Sequence, residues 1–190
     1  MSLFKLADVT VKTKNINSPV IESGVDEIVF CPGENTKDIY PLISTLQEGS
    51  SIYFMTDGAW SNIDIINDII SLIGPCSMDF CTWSISADAI RKFTHWQETG
   101  NLDQINVLLD QGLRNRKPEI FQQAAAAFKN LKLIKCHAKV AVLQNEEFHF
   151  VVVGSANFTN NPRKEAGMII RNRNIAAANT EWIRKELNYV

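Results

Sequence analysis

Residues 132–170, KLIKCHAKVAVLQNEEFHFVVVGSANFTNNPRKEAGMII, decide the fold. Two runs rich in β-branched residues, 138–143 and 148–153, flank a polar break at 144–147, and that pattern predicts a β-hairpin. A further strand is expected over 166–170, after a turn that carries Pro162. His137 and Lys139 stand two apart at the mouth of the first run, where strand alternation puts them on one face. The second run leads into Gly154-Ser155-Ala156-Asn157, with Glu165 downstream. One short unit therefore gathers an imidazole, a fixed cation, a hydroxyl, a carboxamide and a carboxylate.

Such a set suits phosphoryl chemistry. A neutral imidazole attacks phosphorus when a carboxylate orients its other nitrogen. A phosphodiester passing through a pentacoordinate state spreads charge over its equatorial oxygens, and Lys139, Ser155 and Asn157 are suited to hold them without a metal. H-x-K alone recurs by accident, and a strand-edge lysine beside a GSAN turn would read the same way. The weight comes from its conjunction with G-S-x-N and a downstream Glu, each at a strand end.

His137-Ala138-Lys139 with Gly154-Ser155-Ala156-Asn157 resembles the H-x-K…G-S-x-N signature of the phospholipase D superfamily, the HKD-motif phosphodiesterases. The resemblance is specific over 131–171 and looser elsewhere. It implies that His137 is the covalent nucleophile or the general acid, that Lys139, Ser155 and Asn157 complete the set, and that Glu165 orients the histidine. It implies no cofactor. One position departs from the pattern: where the family carries Asp after four intervening residues, this chain has Gln144. Counting back from Gly154, Glu147 stands at the family spacing, so the hairpin loop reads as about three residues longer. The family's Asp is structural, so the change bears on loop geometry more than on activity.

The signature occurs once. His95 and His149 are not followed by Lys at the second position, and transfer through a phosphohistidine needs a second group to protonate the leaving oxygen. Single-motif members of the superfamily supply it from a second copy, and an isologous two-fold interface does so without extra sequence. The expectation is a homodimer with both copies of His137 at the axis. Arg163, Lys164 and Arg171 are the candidate substrate-binding residues, with Arg173 after them and Arg114, Arg116 and Lys117 upstream. Such a cluster suits phosphate contacts along a nucleic-acid strand. Nothing resembles a basic membrane-docking helix with an aromatic stripe, which disfavours a phospholipid substrate without removing it. Trp60, Trp83 and Trp96 read as packing rather than stacking platforms, although Trp83, in CTWSIS, can reach the sheet end. The reading is a metal-independent nuclease. The alternatives are a lipid or small-diester hydrolase of the same chemistry and a degenerate dimeric nucleic-acid-binding domain.

The 190 residues are expected to form a single domain, with 1–24 as an edge strand or arm. Composition is ordinary for a globular chain, at 45% hydrophobic and 21% charged, and the net charge of −2 requires any polyanion to be bound by a local patch. The stretch MSLFKLADVTVKTK does not read as an apolar h-region with a small-residue cleavage site, and no run approaches the length of a membrane span. Four cysteines without a C-x-x-C pair point to reduced thiols and a cytoplasmic setting. Along the chain, strands are expected at 27–31, 51–55, 78–85 and 105–109, with a break at 101–104. Helices are expected after an Asp38 cap, after Ser61 with Asp64, after Ser86, from Pro118, and over 175–188. Residues 131–135 read as a lead into the hairpin. That order predicts an α/β fold, a phospholipase D-like α/β/α sandwich around a mixed, mostly parallel sheet.

Overall fold

The structure, a computed structural model, describes residues 27–32, 39–58, 60–159 and 163–188. The expectations for 1–24, for Asp38 as a cap and for the turn that carries Pro162 lie outside the described residues. In chain order the elements are β1 (Glu27–Pro32), α1 (Tyr40–Thr45), β2 (Ser50–Asp57), α2 (Asn62–Ile73), β3 (Cys76–Thr82), α3 (Ala87–Glu98) and β4 (Leu102–Asp110). Then follow α4 (Leu113–Arg116), α5 (Pro118–Ala127), β5 (Asn130–Ile134), β6 (Val140–Gln144), β7 (His149–Gly154), β8 (Lys164–Arg171) and α6 (Arg173–Asn188).

Local chemistry sets several boundaries. Ser61 and Asp64 close a capping box at α2: the Ser61 N–H donates to Asp64 Oδ2 at 2.8 Å, and the Asp64 N–H donates to Ser61 Oγ at 3.4 Å. Ser86 caps α3 by accepting from the Ala89 N–H at 3.2 Å. Gly74 ends α2 at φ 72°, in the left-handed region that favours glycine.

The eight strands form one sheet in the order β1-β2-β8-β7-β6-β3-β4-β5. Six strands point one way, and β8 and β6 point the other. The sheet is mixed, as expected, but "mostly parallel" describes strand direction and not pairing. The two reversed strands lie inside the sheet, each between two opposed neighbours, so four of the seven pairings are antiparallel. The hairpin, with β8, inserts between a parallel pair (β1, β2) and a parallel trio (β3, β4, β5).

Three strand expectations shift. β4 begins at Leu102, inside the expected break, because Cys76 on β3 pairs with it there. β3 ends at Thr82, short of the expected 85; Ile85 instead makes a lone bridge to Phe158, just before the Ser86 cap. The lead-in at 131–135 is an edge strand, β5, held parallel to β4 by pairs from Asn106↔Asn130 to Asp110↔Ile134.

Alternation sorts the side chains onto two faces. Ile52, Phe54, Met78, Phe80, Val107, Ala141 and Leu143 join the larger core, which packs against α2, α3 and α5. Val140, Val142, Val151, Ile170, Cys81 and Leu108 point the other way, onto Ala176 and Ile183 of α6. Helices therefore cover both faces, as a sandwich requires. A buried carboxylate pins the thinner layer: Asp79, fully buried on β3, takes a bidentate contact from Arg184 of α6 at 2.9 Å and a hydrogen bond from Asn106 Nδ2 at 2.7 Å. No helix among the described residues is long and apolar enough to cross a membrane.

Candidate active site

The topology puts one end of the central strands to use. β2, β3, β4 and β7 finish at the edge where β6 and β8 begin. Loops leaving strand ends at reversals of connection are where α/β sheets form crevices. His137 and Lys139 lie in irregular backbone just before β6 and not inside the strand, so sheet alternation does not place them. Their neighbour fixes them: the Gly154 N–H donates to the Lys139 carbonyl at 3.2 Å, joining H-x-K to G-S-x-N through the backbone.

Gly154 is a steric requirement. It faces Gly167 across the β7–β8 pair, and a Cβ there would stand 2.7 Å from the Ala166 carbonyl oxygen and 3.0 Å from Gly167 Cα. Both obstacles are backbone. Gly154→Ala is expected to cost about 1–3 kcal/mol of stability, the range for overpacking a tight site. A urea titration checks it; an unchanged midpoint would show that the two strands give way freely.

Lys139 is only 7% exposed. Its ammonium donates to the His137 carbonyl at 2.7 Å and lies 3.2 Å and 3.3 Å from the two ring nitrogens of His137. Burial pushes its pKa below the usual lysine range, against the opposing pull of Cys136, Glu165 and Cys81. His137 itself is exposed, with the centroid of the Trp83 ring 5.8 Å from that of the imidazole. The set thus presents an accessible imidazole beside a partly desolvated cation.

The other half of the set is built on β7 and β8. The Ser155 hydroxyl donates to Glu165 Oε2 and accepts from the Ala166 N–H at 3.1 Å. Asn157 Oδ1 accepts from the Thr82 hydroxyl at 3.4 Å, and Asn62 Nδ2 donates to the Ala156 carbonyl at 2.8 Å, which fixes the GSAN turn against α2. Asn62, Asn157, Thr159, Arg163 and Glu165 line one cleft. Glu165, expected to orient the His137 ring, makes its hydrogen bond to the Ser155 hydroxyl. Glu165 acts on Lys139 through its charge. Ser155→Ala and Glu165→Gln are expected to impair turnover in the same direction, about 10-fold each, and less than additively together, because they share one hydrogen bond. A double-mutant cycle on kcat/KM checks this; full additivity would separate the two groups.

The substrate-binding candidates divide. Arg163 lines the cleft, and Lys164 begins β8 opposite Asp57. Arg171 does not belong there. It ends β8, and its guanidinium packs over Phe148 at 4.6 Å and donates to the Leu46 carbonyl at 2.9 Å. An extended run of this length separates its ends by about 23 Å. His149 is at that same far end, where Arg173 Nε meets its Nε2 at 3.5 Å, and it supplies no second acid to the set. Gln144 also lies far from the chemistry: β6 ends there, and its side chain donates to Thr180 Oγ1 on α6 at 3.1 Å. The hairpin loop is 145–148, one residue later than expected, because Asn145 Oδ1 accepts from the N–H groups of Glu147 and Phe148.

Sequence reading missed a supporting group. Asp110, at the end of β4, pairs with Arg116 at 2.8 Å and accepts from the Cys136 N–H at 3.4 Å, next to His137. Burial alone would raise its pKa, but Arg116 and the N–H groups of Cys136 and Gly112 outweigh it and hold the carboxyl below its ordinary value. The same Arg116 lies over the Trp83 ring at 4.1 Å and donates to the Trp83 carbonyl at 3.1 Å. Asp110-Gln111-Gly112, a carboxylate before a turn glycine at a strand end, was the available signal.

No family model and no curated protein matches this sequence. Solved structures do. NucT from Helicobacter pylori is similar at a TM-score of 0.56 and 16% identity, over 72% of this chain and 94% of that one. The archaeal chromatin protein TrmBL2, whose structure is described as showing a novel mode of DNA binding, aligns at a TM-score of 0.44 and 16% identity, over 78% of this chain and 55% of that one. The first likeness is one of fold; the second is too weak to build on.

Proposed function

We propose that this chain is a phosphodiesterase of the phospholipase D superfamily that acts on nucleic acid through a covalent phosphohistidine on His137. The observation that carries the reading is the backbone bond between Gly154 and Lys139, which brings both halves of the motif to one sheet end beside an accessible imidazole. The shared fold with NucT supports the superfamily.

In this reading, a neutral nitrogen of His137 attacks phosphorus and the P–O bond to the leaving nucleoside oxygen breaks. That oxygen takes its proton from a second imidazole. Water then attacks phosphorus, gives a proton to the same group, and the P–N bond breaks to release the phosphomonoester. Lys139 carries the positive charge that the equatorial oxygens need, with Ser155 and Asn157 as neutral partners, so no metal is required. The second imidazole is His137 of another copy, in a two-fold dimer. The exposure of His137 suits that arrangement. Arg163, which lines the cleft, and Lys164, which begins β8 beside it in the chain, suit the flanking phosphates.

Substrate class is tested by assaying one preparation in excess EDTA on single- and double-stranded DNA, bis(p-nitrophenyl) phosphate and phosphatidylcholine vesicles, with light scattering alongside. Cleavage of DNA by a dimer is the expected result. Turnover of the small diester without DNA, or of the vesicles, would move the substrate to a small diester or a lipid. A strict monomer at micromolar concentration would overturn the shared site.

A further inference from the structure

Two of the cysteines lie against each other beneath the catalytic segment. Cys81 is the penultimate residue of β3 and faces α6, and Cys136 immediately precedes His137. They are 55 residues apart in sequence, yet their sulfurs are 2.8 Å apart, both as free thiols. A disulfide needs about 2.0 Å, so closing the bond asks for a movement of under about 1 Å. The backbone already holds the pair in place. Cys81 is paired with Val140 in the β3–β6 ladder, and Cys136 is held by its N–H to Asp110 Oδ2 and by its sulfur accepting from the Ala138 N–H at 3.3 Å. Nothing in the proposed phosphodiesterase chemistry uses either thiol.

We infer that Cys81 and Cys136 are a modification site: an intramolecular dithiol that hydroperoxides convert reversibly to a disulfide. Cys136 is half-buried and Cys81 fully buried, so Cys136 meets the oxidant first. The Cys136 thiolate takes the terminal oxygen of the peroxide, whose O–O bond breaks, leaving a sulfenic acid and an alcohol, or water when the oxidant is hydrogen peroxide. Cys81 then attacks the sulfenic sulfur, the S–S bond forms, the S–O bond breaks, and the hydroxide leaves with the Cys81 proton as water. Two thiols are oxidised by two electrons and one peroxide is reduced. Burial, the neighbouring Cys136 and the Asp110 charge push the Cys81 thiol up, with the Lys139 ammonium pulling the other way; what favours the second step is that the two sulfurs are already in contact. Cys76, also buried, lies with its thiol against the Asn101 carbonyl at 3.9 Å, at the other end of β3.

The bond would fasten the segment carrying His137 and Lys139 to β3 and take Cys136 Sγ away from the Ala138 N–H it now accepts from. The site stands on the cysteine geometry and not on the phosphodiesterase reading, and its test reads a covalent bond instead of turnover.

The full-length chain is treated with hydrogen peroxide, free thiols are blocked with iodoacetamide under denaturing conditions, and the protein is digested without reductant. The expected product in the mass spectrum is the Cys81 peptide joined to the Cys136 peptide, two hydrogens lighter than their sum and separated again by dithiothreitol. Cys136→Ser should abolish that species and leave Cys81 alkylated. Recovery of Cys136 as a sulfinic acid with Cys81 free, a bond from Cys136 to Cys31 or Cys76, or a Cys136 link between two copies would each overturn the assignment. So would no loss of free thiol at either residue.

Discussion

Replacing His137 by alanine is expected to abolish turnover, by at least about 10⁴-fold in kcat, the scale seen when a nucleophile is removed from a covalent mechanism. Stability should stay within about 0.5 kcal/mol of the parent, because an exposed side chain away from the core contributes little to folding. The contrast is the point of the experiment. His137 lies outside the ladder, supported by Lys139 and the nearby Trp83 ring, so its removal leaves no cavity. A urea midpoint close to the parent value, with activity gone, assigns the loss to chemistry. Loss of both together would mean that the imidazole holds the segment in place. His137→Asn, which keeps a polar planar side chain, should be as inactive and should still bind DNA.

Lys139→Met is the second large effect, and its two readouts are expected to diverge. If Lys139 holds the equatorial oxygens as proposed, its removal should lower kcat/KM by about 10²–10³-fold, the cost of one preorganised donor. Folding stability should not fall. Burial holds the Lys139 pKa below its unfolded value, so in the interval between the two the unfolded chain binds more protons. Stability therefore rises with pH through that interval, up to the ordinary lysine value of 10.5, and the charged buried form is the costly one. Methionine fills similar space without that cost. The same depressed pKa governs activity with the opposite sign: a site needing the ammonium loses it as pH climbs through that pKa. The alkaline limb of kcat/KM should thus begin below the usual lysine range. A pH profile flat through that range would remove Lys139 from the charge-holding role, and a destabilised Lys139→Met would contradict the linkage.

The parts of the fold that local chemistry dictates were legible in the sequence. Ser61 with Asp64 and Ser86 announced two helix starts, because a cap is a contact between near neighbours in the chain. The hairpin was legible to within a residue or two, since β-branched runs around a polar break leave few alternatives. β5 was not. Its residues are all half-buried or exposed, so no clean alternation marks them, and its partner β4 lies about twenty residues earlier. The sheet's antiparallel centre escaped for a related reason: strand order is set by pairings such as β2 with β8, which span more than a hundred residues.

The site divides along the same line. Its chemical inventory is contiguous in sequence and was read there; its partnerships are not contiguous. Glu165 was assigned to His137 by resemblance, yet its hydrogen bond goes to the Ser155 hydroxyl across the β7–β8 pair. Arg171 was grouped with Arg163 and Lys164 by closeness in sequence, but an intervening strand carries it to the opposite edge, onto Phe148. The support from Asp110 through Arg116 to Trp83 joins the 110–116 stretch to a residue some thirty positions earlier, and only the folded chain brings Trp83 beside His137.

The most direct measurement is cleavage of single- and double-stranded DNA in excess EDTA by the parent chain and by His137→Asn, each verified as folded and dimeric, with acid-quenched samples examined for a nucleotide adduct. The account predicts cleavage by the parent alone, with a transient adduct on His137. Cleavage by both proteins, or by neither when both are folded dimers, would contradict a phosphohistidine mechanism on DNA.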